Sequence, residues 1–244
     1  MPANPYTIQL ETEATIFASG FALLGLSHIA IHNKKTPTLS EIESLNPKSL
    51  FKIDRPFAGN YDTVSAKHSY YFLYSSLLIS PISGFLWLSP KNKLPILIMS
   101  LEVAQWSAVG SQAAKASVRR FRPRAYPTST LGAPSRLAKD QTNSFFSGHA
   151  SAISSSLFYT ATIIAQKSSS THAAIAYASA SVLSIYGSWL RVKAGGHFPT
   201  DVLTGLIWGG AVGHIIPRQH LTGSFDISLF SKQHYCGVVF RKKL

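Results

Sequence analysis

Six apolar stretches separated by polar connections dominate the chain. They lie near residues 14–31, 69–88, 94–113, 150–166, 172–190 and 200–217, each close to the ~20 residues that a helix needs to cross a bilayer. The second has Tyr70, Tyr71 and Tyr74 at one end and Trp87 at the other, where aromatic side chains mark two membrane interfaces. The third and fourth are more polar. One carries Glu102, Gln105 and several serines; the other begins Ala150-Ser151-Ala152 and is rich in Ser and Thr, a composition that also suits buried helices of a soluble all-α protein. Small residues run from Ala173 to Ala180 in the fifth and as Gly205-x3-Gly209-x3-Gly213 in the sixth. Such residues let backbones approach closely, although Gly and Ala are also simply common in such helices. The pattern predicts an all-α, integral-membrane bundle of about six transmembrane helices.

Polar segments at 32–68, 114–148 and 218–244 hold the mean hydropathy to +0.12. No Pro/Gly/Ser-rich linker, internal repeat or low-complexity tract divides the 244 residues, so one domain spanning 1–244 is expected, with 218–244 as a basic C-terminal tail. The one cysteine, Cys236, excludes an intramolecular disulfide framework and lies in that tail; it is expected to be a bystander rather than a nucleophile. The net charge is +13, but the basic residues cluster at the ends of apolar segments and not in a recognition helix. Anionic head groups and a phosphorylated substrate fit that distribution better than nucleic acid. The first stretch is preceded by Glu11 and Glu13 and by no Lys or Arg, so it lacks the basic start of a signal peptide and is expected to be retained.

Three short motifs in fixed order carry the candidate chemistry: Lys115-x6-Arg122-Pro123, Ser147-Gly148-His149 and Arg191-x5-His197-x3-Asp201. Lys115, Arg122 and Arg191 suit the oxygens of a phosphoryl group, while two histidines divide the attack on phosphorus and the protonation of a leaving group. The motifs fall at the end of the third span, the start of the fourth and between the fifth and sixth. Alternating spans bring all three to one face.

K-x6-RP, PSGH and SR-x5-H-x3-D are the signatures of the type 2 phosphatidic acid phosphatase superfamily, and the chain resembles a membrane-bound member of it from Lys115 to Asp201. Phe146 stands where the family usually has Pro, and Leu190 where it usually has Ser; both are expected to alter loop shape and secondary hydrogen bonds. The resemblance implies a two-step phosphatase: His197 attacks phosphorus, His149 protonates the leaving oxygen, and water then hydrolyses the phosphohistidine with His149 as base. It also implies lipid phosphates or diphosphates as substrates. Some members of the superfamily are soluble phosphatases with similar buried helices.

Local signals sharpen each motif. A helix continuing past the third span would place Lys115, Arg119 and Arg122 on one stripe, with Arg120 pointing elsewhere; Arg119 and Arg120 are expected to snorkel to head groups. Ser147 occupies an N-cap position, leaving the amides of Gly148, His149 and Ala150 to bind an anion. Gly148 permits close backbone approach. Pro199 and Thr200 start another helix, and Asp201 is close enough to accept a proton from His197 and set its tautomer. His28, His32, His68, His172, His214, His220 and His234 lack motif neighbours and are expected to be structural. Arg124, Arg136 and Lys139 suit either a second phosphate or head groups. Side chains supply the positive charge, so no cofactor and no metal is expected.

Both termini fall on the face opposite the motifs, and the motif-face loops hold 15 of the 23 Lys and Arg. Positive-inside reasoning alone would make that face cytoplasmic. Catalytic cations inflate the count, however, and the resemblance implies the external side, so a cell inner-membrane protein with a periplasmic active site is the expectation. Two other functions share the constellation: a vanadate-dependent haloperoxidase-like enzyme, and a non-catalytic lipid-phosphate binding or transport protein.

Overall fold

The computed structural model describes residues 5–87, 93–221, 225–232 and 235–242. Its helices are α1 (Leu10–His32), α2 (Leu39–Glu43), α3 (Thr63–Trp87), α4 (Lys93–Ser117), α5 (Ala133–Arg136), α6 (Gly148–Ala165), α7 (Ser170–Lys193) and α8 (Pro199–Gln219), followed by an antiparallel hairpin of β1 (Phe225–Lys232) and β2 (Tyr235–Lys242). The six long helices coincide with the six expected apolar segments. Leu88 and the side chain of Trp87, the anchor expected at the far end of the second span, lie outside the described residues. Within the segment 218–244 the first two residues end α8, and the hairpin follows.

By length and composition α1, α4 and α7 can cross a membrane. The bundle also exposes large apolar side chains to its surroundings, including Phe21 and Leu26 on α1, Leu78 and Ile82 on α3, Val182 and Ile185 on α7, and Leu203 and Ile207 on α8. A lipid environment accounts for that surface, because a soluble monomer rarely shows so much contiguous apolar area. The chain is an integral membrane protein.

The polarity of α6 has a local cause. This helix lies at the centre, packed against α3, α4, α7 and α8, so its hydroxyls find partners inside the protein. Ser151 Oγ lies 2.8 Å from Ser107 Oγ, Ser154 donates to Leu206 O at 2.9 Å, and Tyr159 donates to Ile96 O at 2.9 Å. Apolar packing continues beside them, with Ile96, Met99, Val103, Tyr159 and Ile163 in one buried cluster.

α6 and α8 run parallel, and the glycine series of α8 forms a specific seam. A Cβ at Gly205, Gly209 or Gly213 would fall on the backbone oxygens of Ser147, Ser151 and Ser155 respectively, at matching steps of four residues. Neither backbone has room to yield. Gly209→Ala is therefore expected to destabilise the protein by about 1–3 kcal/mol, despite alanine's better helix propensity; a lower melting temperature in detergent checks it, and an unchanged one would show that the helices can separate at little cost.

The chain alternates direction through the six long helices, so the ends of α4 and α7 and the starts of α6 and α8 meet at one face. At the opposite face Tyr6 bridges Leu221 and Thr7 N–H donates to His220 O at 2.8 Å, which brings both ends of the bundle's chain together as expected.

Candidate active site

Each motif residue is held by a helix end or by the turn between two helices. Lys115 is in the last turn of α4 and Arg191 in the last turn of α7, positions where the helix dipole favours a cation. Ser147 caps α6, accepting from Ala150 N–H at 3.3 Å. Pro199 opens α8, and Asp201 accepts from Phe198 N–H at 2.8 Å. The expected helix starts are found, and they adjoin: Ser147 N–H donates to Asp201 O at 3.1 Å.

His197 sits in the turn between α7 and α8, 2% exposed. Gly195 adopts φ +68°, and a side chain there would strike Asn60 O, so the sharp reversal that delivers His197 depends on glycine. Nδ1 of His197 donates to Ser144 O at 2.7 Å, leaving the Nε2 lone pair 3.1 Å from Arg122 Nη1. Burial, followed by the charges of Arg122, Arg191 and Lys115, pushes the imidazole well below its ordinary pKa. It is neutral at pH 7, the form in which a histidine is a nucleophile.

The three cations gather around this imidazole. Arg122 is 6% exposed and donates to Gly196 O at 2.7 Å and to Asp140 Oδ1 at 2.9 Å. Burial works against the Asp140 carboxylate, yet Arg122, Arg124 and Lys115 hold its pKa below the usual range. Arg191 is 5% exposed, donates to Ser69 Oγ at 3.0 Å and lies over the Tyr70 ring at 5.6 Å, while its Nε has no hydrogen-bond partner among the described residues. Lys115 Nζ lies 3.2 Å from the point a Cβ of Gly148 would occupy, so it faces the N-terminus of α6. Among the described residues neither Lys115 nor Arg191 has a carboxylate within ion-pair distance. His149, in the first turn of α6, packs edge-on against Tyr70 at 4.8 Å and keeps a buried Nε2 without a hydrogen-bond partner among the described residues.

Two sequence expectations need correction. Asp201 does not bond His197. Its Oδ2 accepts from Ser144 Oγ at 2.6 Å and from Phe198 N–H, and its Oδ1 accepts from Arg120. The carboxylate thus fixes the Ser144 segment, whose carbonyl sets the imidazole. The helical stripe of Lys115, Arg119 and Arg122 is also absent, because α4 ends at Ser117. Beyond it the chain is extended, with Arg120 N–H bonded to Thr142 O, Ser144 N–H to Arg120 O and Arg122 N–H to Gln141 O. Side chains alternate along such a segment. Arg120 and Arg122 therefore share the inner side, while Arg119 turns out to Glu41 at 3.0 Å.

Arg120, expected at the head groups, instead joins Asp54 at 2.7 Å and Asp201. Asp54, fully buried, also accepts from Thr200 N–H at 3.1 Å and Thr200 Oγ1 at 2.7 Å at the start of α8. Sequence reasoning missed Asp54, Ser144, Ser69 and Tyr70; an Asp in the polar 32–68 loop has no local signal that it will cap a distant helix. Of the loop cations, Arg124 pairs with Asp140 at 3.2 Å and Lys139 donates to His32 O at 2.6 Å. Phe146 and Leu190, the two departures from the family pattern, are both buried.

No curated protein matches the chain in sequence. Two solved structures are similar in structure. One is the crystal structure of LpxE from Aquifex aeolicus, 22% identical, covering 68% of this chain and 93% of that one with a TM-score of 0.45. The other is the first transmembrane PAP2-type phosphatidylglycerolphosphate phosphatase from Bacillus subtilis, 18% identical, covering 84% and 94% with a TM-score of 0.46. The PAP2 superfamily model matches residues 95–224, more than half of the sequence and all three motifs. The chain belongs to the PAP2 superfamily.

Proposed function

We propose that this protein is a membrane phosphatase that hydrolyses the phosphomonoester or diphosphate of a lipid through a phosphohistidine on His197. The observation that carries the reading is the buried His197 ring, held by Ser144 O at Nδ1 and 3.1 Å from Arg122 Nη1 at Nε2, with Lys115 and Arg191 beside it and no carboxylate within ion-pair distance of either among the described residues. A phosphoryl dianion supplies that missing charge.

The phosphoryl group lies between the cations and the N-terminus of α6, displacing the contact of Arg122 Nη1 with His197 Nε2. The Nε2 lone pair forms the P–N bond as the P–O bond to the leaving alcohol or phosphate breaks, and charge on the equatorial oxygens is met by the three cations and the amides of Gly148 and His149. His149 gives its proton to the leaving oxygen; the dianion favours its imidazolium form beforehand. Water, deprotonated by His149, then attacks phosphorus and releases His197. Ser144 and Asp201 position the nucleophile. All of the required positive charge comes from side chains, so no metal takes part in this step.

The site lies at one end of the bundle, where a head group lies when its acyl or prenyl tail is in lipid. We place it on the external, periplasmic face of the inner membrane, with 1–244 working as one unit. Arg191→Lys is expected to lower kcat/KM about 10- to 100-fold, because an ammonium cannot reach Ser69, Tyr70 and phosphate together; activity equal to wild type would remove Arg191 from phosphate binding. The reading as a whole is tested by phosphate release from a panel of lipid mono- and diphosphates by detergent-purified protein, with initial rates taken directly after chelator is added. Release that is undiminished by chelator is expected. No release from any lipid by folded protein overturns the reading in favour of binding or transport, and vanadate-dependent halide oxidation in its place would make the protein haloperoxidase-like.

A further inference from the structure

At the end of the bundle opposite His197, α1, α4 and the end of α8 each send one ligating side chain to a common point. Glu13, Glu102 and His220 are 6%, 3% and 3% exposed. His220 Nε2 lies 3.0 Å from Glu13 Oε1 and 3.4 Å from Glu102 Oε2, and one ligand atom from each residue lies within 4.8 Å of the others. The second nitrogen, Nδ1, donates to Ile216 O at 2.9 Å, which turns Nε2 toward the carboxylates. A histidine that ligates a metal is oriented in this way by a backbone carbonyl.

Glu13 and Glu102 are buried beside the His220 imidazole, and a carboxylate oxygen that finds no donor in such a place is costly. A second observation points to an absent ligand: Glu13 Oε2 is buried and has no hydrogen-bond partner among the described residues. A cation beside the imidazole would satisfy that oxygen.

We propose that Glu13, Glu102 and His220 bind a divalent transition-metal cation of the zinc, manganese or iron(II) class, which clamps α1 and α8 onto α4. Two carboxylates neutralise a dication, and the mixed nitrogen and oxygen donors suit these metals better than calcium or magnesium. The spacing agrees: metal–ligand distances of ~2.0–2.1 Å in a tetrahedral site put ligands ~3.3–3.4 Å apart, close to the separations that His220 makes with each carboxylate. The role is structural. The 21-residue helix α8 separates the cluster from His197 by about 30 Å, so the cation is remote from phosphoryl transfer. It acts where α1 packs on α4 and where Thr7 N–H meets His220 O.

The test is metal content and melting temperature of the purified full-length protein with any affinity tag removed. Chelator-stripped protein is incubated with zinc, manganese or iron(II), desalted and assayed. About one metal per chain and a raised melting temperature are expected for wild type and for His197→Ala, with both lost in Glu13→Gln and His220→Gln. If the wild-type protein retains none of the three metals and its melting temperature does not change, the proposal is overturned, and the cluster holds a proton instead. Retention at wild-type level by both Glu13→Gln and His220→Gln also overturns it. Neither readout uses phosphate release, so this inference and the proposed phosphatase activity stand or fall separately.

Discussion

His197→Ala is expected to lower turnover by on the order of 10⁴-fold or more, the scale on which removal of an enzymatic nucleophile acts, while the protein stays folded. The fold survives because the ring makes few structural bonds. Ser144 O loses one donor, and Arg122 Nη1 keeps Gly196 O at 2.7 Å. The three cations remain, so phosphate should still bind to the variant. Rates are measured on protein whose melting temperature in detergent matches wild type. Near-normal turnover by folded His197→Ala would remove His197 as the nucleophile.

Arg120→Met is expected to be the most damaging change outside the three motifs. The guanidinium stands between two fully buried carboxylates, Asp54 and Asp201, and removing it leaves both unpaired. Breaking a buried ion pair from one side costs about 3–5 kcal/mol. Function suffers as well, since Asp201 holds Ser144, and Ser144 O sets the His197 tautomer. Arg120→Lys should recover part of the stability by restoring charge. A melting temperature and rate equal to wild type in Arg120→Met would show that Asp54 and Asp201 do not depend on this cation.

These two residues also mark how far the sequence could be read. His197 was legible because spacing ties it to Arg191 and Asp201 within a few residues, and because alternation of six apolar segments brings the motif ends together. The N-caps at Ser147 and the start at Pro199 were legible for the same reason: their signals are local. A helical continuation of α4 would send Arg120 to the head groups, whereas the extended segment turns it inward. The register of 118–122 against 140–144 depends on pairing across about twenty residues, which no local pattern reports. Asp54 reaches Thr200 from 146 positions away, and Glu13 reaches His220 from 207. Polar residues inside apolar spans, such as Glu102 and the serines of α6, lowered the apparent membrane character of helices whose polar faces are buried against other helices. The hairpin at 225–242 does carry a signal, since Phe225, Ile227 and Leu229 alternate with Asp226 and Ser228; its short length and basic surroundings made it look like a tail.

The most direct measurement is to trap the enzyme during turnover of a lipid phosphate by alkaline quench, which preserves phosphohistidine, and to locate the phosphoryl group by peptide mass spectrometry. A phosphoryl group on His197 in the wild-type protein, absent from His197→Ala, is the expected result. Ongoing phosphate release with no phosphoryl group on His197, or with one on His149 instead, would contradict the assignment of His197 as the nucleophile.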